Sequence, residues 1–276
     1  MHRLIAGLTS LSLMCGSCAF AQDTGSATRL NFPTGGYLQF PPHFQPRPAN
    51  AGGKIKAAPP PLPSYAQPAI AEEGDVWMPG FWAWREEIPD YFWVPGTWVR
   101  PPRSGLLWTP AYWSRVDGGY VFHAGYWAEQ VGFYGGIDYA YGYTGDGYQG
   151  GRWEDGVFFY NRVVNNLGSL NIAHVYDQAI AADNKSIRVS FSGGSKGTTA
   201  RPTPQQEQFA GERHIGPTAE QLNHFEMAAK DRSLYSKLNG DEPGVAATSR
   251  PGIFNEAVTR SSGRSKDDVT TGTNMK

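Results

Sequence analysis

Cysteine is nearly absent. The 276 residues hold two, Cys15 and Cys18, and both lie in a segment expected to be removed. Met1-His2-Arg3 is a short basic opening, Leu4 to Met14 is apolar or small, and Ala19-Phe20-Ala21 has the small-x-small pattern at which a secretory signal peptide is cleaved. Neither cysteine follows a good Leu-x-small lipidation triplet, since Ser12-Leu13-Met14 precedes one and Cys15-Gly16-Ser17 the other. Cleavage after Ala21 leaves no cysteine, which excludes disulfides, thiolate catalysis and thiolate metal sites. Long apolar runs are missing too. The leader's run of about 11 residues is too short to cross a ~30 Å bilayer, and no later stretch is apolar for long enough. Charge of one sign is equally scarce, with 24 basic residues against 25 acidic. Without Arg3 the balance is near −2, no footprint for nucleic acid or anionic lipid. His123, His174, His214 and His224 are scattered rather than paired, and Asp138 and Asp146 lack the alternation of a calcium loop. No metal and no cofactor is expected.

Aromatic residues are abundant and concentrated. All nine tryptophans fall between Trp77 and Trp153, with ten tyrosines between Tyr91 and Tyr160. Most belong to one phrase. Trp77-Met-Pro-Gly80-Phe-Trp82 is followed by Trp93-Val-Pro-Gly96-Thr-Trp98, Trp108-Thr-Pro-Ala111-Tyr-Trp113 and Phe122-His-Ala-Gly125-Tyr-Trp127. A fifth copy, Tyr148-Gln-Gly-Gly151-Arg-Trp153, follows an insertion. The first four start 16, 15 and 14 residues apart, so one structural unit is repeated. Turn-forming clusters separate them: residues 86–90, 101–105 and 116–119, where Asp117-Gly118 is a strong hairpin signal. The fold class expected is mainly β, an antiparallel meander built from the aromatic repeats, with short C-terminal helices and disordered flanks.

The two rings of a copy are five residues apart, which in a regular strand places them on opposite faces. A bulge at Pro-Gly would return both to one face, with glycine taking a positive φ. A type II turn at the same dipeptide is the alternative.

The organisation expected along the chain is a signal peptide over 1–21 and a disordered Pro-rich linker over 22–73. A repeat domain over 74–163 follows, then weak strands and loops over 164–200. The insertion, 131–147, suits a long loop tiled with rings. Thr203-Pro204-Gln-Gln206 and Thr218-Ala-Glu-Gln221 announce helices within 201–240, the second with Leu222, Phe225 and Ala229 on one face. A disordered tail completes the chain over 241–276. His214 and His224 fit helix surfaces.

The repeated phrase behind a signal peptide resembles the exported bacterial WXXGXW (YXWGXW) repeat proteins over residues 76–153. The third copy departs from the pattern with Ala111 and the fourth with Phe122. The resemblance implies an exported protein of a Gram-negative envelope, periplasmic, outer-membrane-associated or extracellular, and brings no catalytic residues with it. The rings exceed what a thin core can hide, so one ring per copy is expected to be buried and the other partly exposed. The candidate aromatic platform comprises Trp77, Trp82, Trp93, Trp98, Trp108, Trp113, Trp127, Tyr148 and Trp153. The reading is a non-enzymatic envelope protein holding a cell-wall glycan or an envelope protein on these rings. A self-assembling structural protein is the alternative, and a polysaccharide hydrolase using Glu86-Glu87 or Glu154-Asp155 the second alternative.

Overall fold

The computed structural model describes residues 54–145, 147–180, 188–256 and 258–262. The expected signal peptide, both cysteines, the start of the Pro-rich segment, Asp146 and the last residues of the tail lie outside them.

The described chain is mainly β and largely antiparallel, and its first four repeats pair two by two. The first copy runs through β1 (Val76–Met78) and β2 (Phe81–Arg85), the second through β3 (Asp90–Val94) and β4 (Gly96–Val99). β2 pairs with β3 and β1 with β4, giving one long hairpin with a break in each arm. Copies three and four repeat the plan. Strands β5 (Leu107–Thr109) and β6 (Tyr112–Val116) return as β7 (Gly119–His123) and β8 (Tyr126–Ala128). Asp117 (φ 44°) and Gly118 (φ 78°) close this hairpin with the two positive φ values that such a turn needs. In the fifth copy β11 (Gly151–Glu154) pairs with β12 (Val157–Asn161) around Asp155 (φ 48°) and Gly156 (φ 79°).

The expected bulge is not there. Met78 opposes Thr97 and, three residues on in each strand, Phe81 opposes Val94; Thr109 and Tyr126 give way likewise to Tyr112 and His123. An inserted residue would have shifted the register, and the strand continues past the dipeptide, so it is no turn either. The ladder is simply interrupted where a proline has no N–H to donate.

Nor does glycine at the fourth position serve a positive φ, since Gly80, Gly96 and Gly125 all lie outside the left-handed region. They are there for space. A Cβ on Gly80 would sit 2.3 Å from Cζ2 of Trp93, one on Gly96 2.7 Å from Cζ2 of Trp77, and one on Gly125 2.4 Å from Cζ2 of Trp108. Each intruding ring is the first of the partner copy. It stands directly opposite the partner's second ring (Trp93 with Trp82, Trp77 with Trp98, Trp108 with Trp127) and leans back over the glycine two residues earlier. The opposed rings meet edge to face at centroid distances of 5.2, 5.3 and 5.2 Å, within the favourable range for such pairs. Gly151 repeats the arrangement beneath Phe158. Gly-x-Trp is therefore a seat for the neighbour's first ring. At the seat with Ala111, the opposing ring is Phe122, 5.1 Å from Trp113. The two departures from the phrase compensate each other, because the smaller ring leaves room for a methyl group.

The insertion is less a loop than a set of wedges. Tyr134, Tyr139 and Tyr143 are buried, and small strands β9 (Asp138–Ala140) and β10 (Tyr143–Thr144) carry two of them. The Tyr143 hydroxyl lies 2.8 Å from the Trp108 carbonyl and 3.2 Å from that of Trp77, bridging the two hairpins. Burial holds its pKa well above the usual tyrosine value.

Residues 54–73, expected within a disordered linker, are instead a strap across the repeats. Polyproline carbonyls have no internal hydrogen bonds, so they are free to accept from outside. Pro61 accepts from Trp82 Nε1 (3.0 Å), Pro68 from Trp98 Nε1 (2.9 Å) and Ala57 from the Tyr91 hydroxyl (2.9 Å). Leu62 and Ile70 are buried with the repeat core.

Parallel pairings bring distant segments back. β13 (Val175–Tyr176) joins β12, and β14 (Phe191–Ser192) joins β6. β15 (Ala247–Thr248) joins β4 and is followed by β16 (Val258–Thr259), inside what was expected to be a disordered tail. The physical reason is again an indole: Trp93 donates to the carbonyl of Ala246 (2.9 Å). Helices α1 (Pro204–Ala210) and α2 (Ala219–Lys230) begin at the expected capping boxes on Thr203 and Thr218. A short α3 (Ser236–Asn239) stops at left-handed Gly240. The buried face of α2 is Gln221, His224, Phe225 and Ala228, one residue out of step with the expected one.

His224 is thus not a surface residue. It is fully buried, its Nε2–H donates to the Pro95 carbonyl at the break before β4 (2.8 Å), and Nδ1 accepts from Gly252 N–H (2.9 Å). Nor does His214 lie on a helix: it stacks on Tyr126 at 3.9 Å in the segment between α1 and α2.

Two predictions follow from this packing. Gly80→Ala should destabilise the protein by about 1–3 kcal/mol in urea titration, the usual cost of overpacking. Adding Trp93→Phe should recover part of that loss by recreating the Ala111–Phe122 combination; a double variant no better than the sum of the two singles would refute the seat. The second concerns acid. Burial pushes His224 and His123 down to about 4 from the usual 6.5, so the unfolded chain takes up protons first. Their contribution is complete above about 6.5 and is lost as pH falls towards 4. Asp75, pushed up to about 6 chiefly by burial, acts oppositely, its contribution being lost as pH rises through 6. Stability of His224→Gln should therefore depend less steeply on pH between 4 and 6.5 than that of the parent, and equal slopes would contradict the assignment.

Candidate functional site

Seven of the nine platform candidates have no face to offer a ligand. Trp77, Trp82, Trp93, Trp98, Trp108, Trp113 and Trp127 are each at most 4% exposed. The expectation of one buried and one partly exposed ring per copy fails in the first three copies, whose rings are all buried in cross-strand pairs; in the fourth Trp127 is buried and Phe122 half-buried, and in the fifth Tyr148 and Trp153 are both half-buried. Polar needs are met at the same places. Trp113 Nε1 donates to the Trp82 carbonyl (2.8 Å) and Trp127 Nε1 to Gln221 Oε1 (2.8 Å). Trp77 Nε1 is buried without a partner among the described residues. Tyr148 is half-buried against Tyr143, with ring centroids 4.6 Å apart.

Trp153 differs. It is half-buried, meets Phe158 in a T-shaped contact at 5.2 Å, and donates Nε1–H to the Leu106 carbonyl at 3.0 Å. With Phe158 it lines an open cleft of about 310 Å³ whose other walls include Glu73, Gly74, Arg100, Arg103 and His174. Five separate segments build it: the end of the strap, the connection between the two repeat pairs, β11, β12 and the loop before β13.

The electrostatics of the cleft centre on Arg100. Its Nε is 3.0 Å from Asp75, one Nη donates to the Glu73 carbonyl (2.7 Å), and the other is 3.3 Å from Glu72, which also meets Arg250 at 3.0 Å. Arg103 pairs with Glu129 at 3.4 Å, and His174 Nδ1 lies 3.4 Å from Glu73. The Asp75 carboxyl stays raised because burial outweighs the guanidinium beside it. Gly74 (φ 93°) is called for by its left-handed backbone, and an Arg100 Nη occupies the space beside it, 2.2 Å from where a Cβ would lie. The result is an aromatic floor with donors and acceptors interleaved at the rim.

The other chemical candidates are dispersed. Glu86 and Glu87 occupy the exposed turn of the first hairpin, Glu87 3.3 Å from Arg85, and Glu154 pairs with Arg152 at 2.5 Å. His123 stacks on Tyr112 at 4.3 Å and meets Ser114 Oγ at 2.8 Å. Among the described residues no group of three or more His, Cys, Asp and Glu could hold a metal ion, and no helix is long and apolar enough to cross a membrane. Sequence reasoning placed Trp153 among the candidates but missed its neighbours. Glu73 and His174 are 101 residues apart, and nothing periodic links them.

Comparison with known proteins agrees with the geometry of the repeats. The model of the WXXGXW repeat, described as two copies, matches residues 76–99, 89–105 and 103–128. No curated protein and no solved structure shows significant similarity to the chain. The matched stretches cover the two paired hairpins, so residues 76–128 carry copies of the WXXGXW repeat.

Proposed function

We propose that this is a non-enzymatic protein exported to the cell envelope, where it holds a glycan or protein partner at the Trp153 cleft. Export rests on Arg3, the apolar Leu4–Met14 run and Ala19-Phe20-Ala21. The observation that carries the binding reading is the cleft of about 310 Å³ with one fixed, half-exposed indole in its wall. Concave sites with an apolar floor and a few convergent polar groups are where ligands bind. The binding surface is thus one site at the end of the repeat array, not the array itself. Burial of the other rings supports a second role for the repeats, as the architecture that fixes this cleft.

Purified full-length protein should co-sediment with isolated peptidoglycan sacculi or outer-membrane vesicles. Trp153→Ala should weaken that binding by about tenfold or more, ~1.4 kcal/mol, with Trp153→Phe intermediate and both variants melting cooperatively. Equal binding by parent and Trp153→Ala would remove the cleft from the account. Association that grows with protein concentration alone, with no binding to either material, would favour the self-assembling alternative.

A further inference from the structure

We infer that the cleft accepts an uncharged sugar ring, stacked on Trp153 and held at its hydroxyls by Arg103, His174 and Glu73; this rests on the binding reading above. Three features select that chemistry. The first is the indole. Its N–H is already committed to the Leu106 carbonyl and its ring is held in a T-shaped contact with Phe158, yet it stays half-exposed and lines the cleft. What it still offers is a carbon face, and the axial C–H face of a pyranose is the natural complement of such a surface. Because the ring is held before ligand arrives, little side-chain entropy is lost on binding.

The second is size. About 310 Å³ lies at the low end of small-molecule sites, ~300–1,000 Å³. That suits one or two rings of a chain entering by the open side.

The third is charge. Both guanidinium groups of the cleft already face carboxylates, Arg100 with Asp75 and Glu72, Arg103 with Glu129, and Glu73 adds a carboxylate to the lining. An acidic ligand would have to displace these partners and would meet Glu73 directly. A hydroxyl has neither difficulty. It accepts from an arginine or histidine N–H and donates to a carboxylate oxygen at once, which is what an interleaved rim can satisfy.

The test is isothermal titration of the full-length protein with chitotetraose, maltotetraose and tetragalacturonate. At least one neutral oligomer should bind, and tetragalacturonate should bind at least tenfold more weakly. Trp153→Ala should abolish the neutral-oligomer signal, while Glu73→Gln and His174→Gln, at half-exposed rim positions, should each weaken it severalfold without lowering the melting temperature. Tighter binding of tetragalacturonate than of both neutral oligomers, lost in Trp153→Ala, would overturn the uncharged-sugar inference and leave the cleft standing. Failure of every oligomer, while Trp153-dependent binding to sacculi or vesicles persists, would also overturn it and point to a protein partner. Oligomer binding indifferent to Trp153→Ala would overturn both this inference and the binding reading.

Discussion

The structure depends on one contact, a tryptophan ring lying on a glycine of the neighbouring strand. It explains the spacing of the phrase. The second tryptophan opposes the partner's first ring, and the glycine two positions earlier gives that ring somewhere to lie. Among the first four copies the relation is reciprocal, so each is complete only when paired, and these four assemble in twos. The exchange of Ala111 and Phe122 within one pair shows that steric volume, not backbone conformation, is what the glycine supplies.

Burying so many indoles creates a second demand, because a buried N–H without an acceptor costs about 1–3 kcal/mol. Strand carbonyls are largely committed to their ladders, so, apart from the Trp82 carbonyl that serves Trp113, these acceptors come from elsewhere: prolines of the strap, Ala246 before β15, Gln221 of α2. These bonds draw the N-terminal strap, the C-terminal strands and the helix onto the repeats. Groups paired, capped and covered hold the fold, and the half-exposed Trp153 is what remains beside an open cleft.

Some of this was legible in the sequence. The phrase and its period marked the repeat domain, Asp117-Gly118 marked a hairpin turn by its need for positive φ, and the two capping boxes marked α1 and α2. What was not legible is non-local. A Pro-rich stretch has the composition of a spacer, and only the indoles opposite it make it a strap. Burial of His224 depends on Pro95 and Gly252, far away in sequence. Pro-Gly offered bulge or turn; the structure takes neither, because the glycine answers to a ring on another strand. The cleft was visible only through Trp153, since Arg100, Glu73 and His174 converge by tertiary packing alone.

The central claim is that the tryptophans of the first four copies are a closed core in which most indole N–H groups are hydrogen-bonded. It is tested most directly by hydrogen exchange at the indole N–H groups, resolved residue by residue by NMR on protein carrying nitrogen-15 tryptophan. The N–H groups of Trp82, Trp93, Trp98, Trp113 and Trp127 should exchange only through global unfolding, as slowly as the best-protected strand amides. Exchange of these five at the rate of a solvated indole, while strand amides stay protected, would show the rings open to solvent and contradict the account.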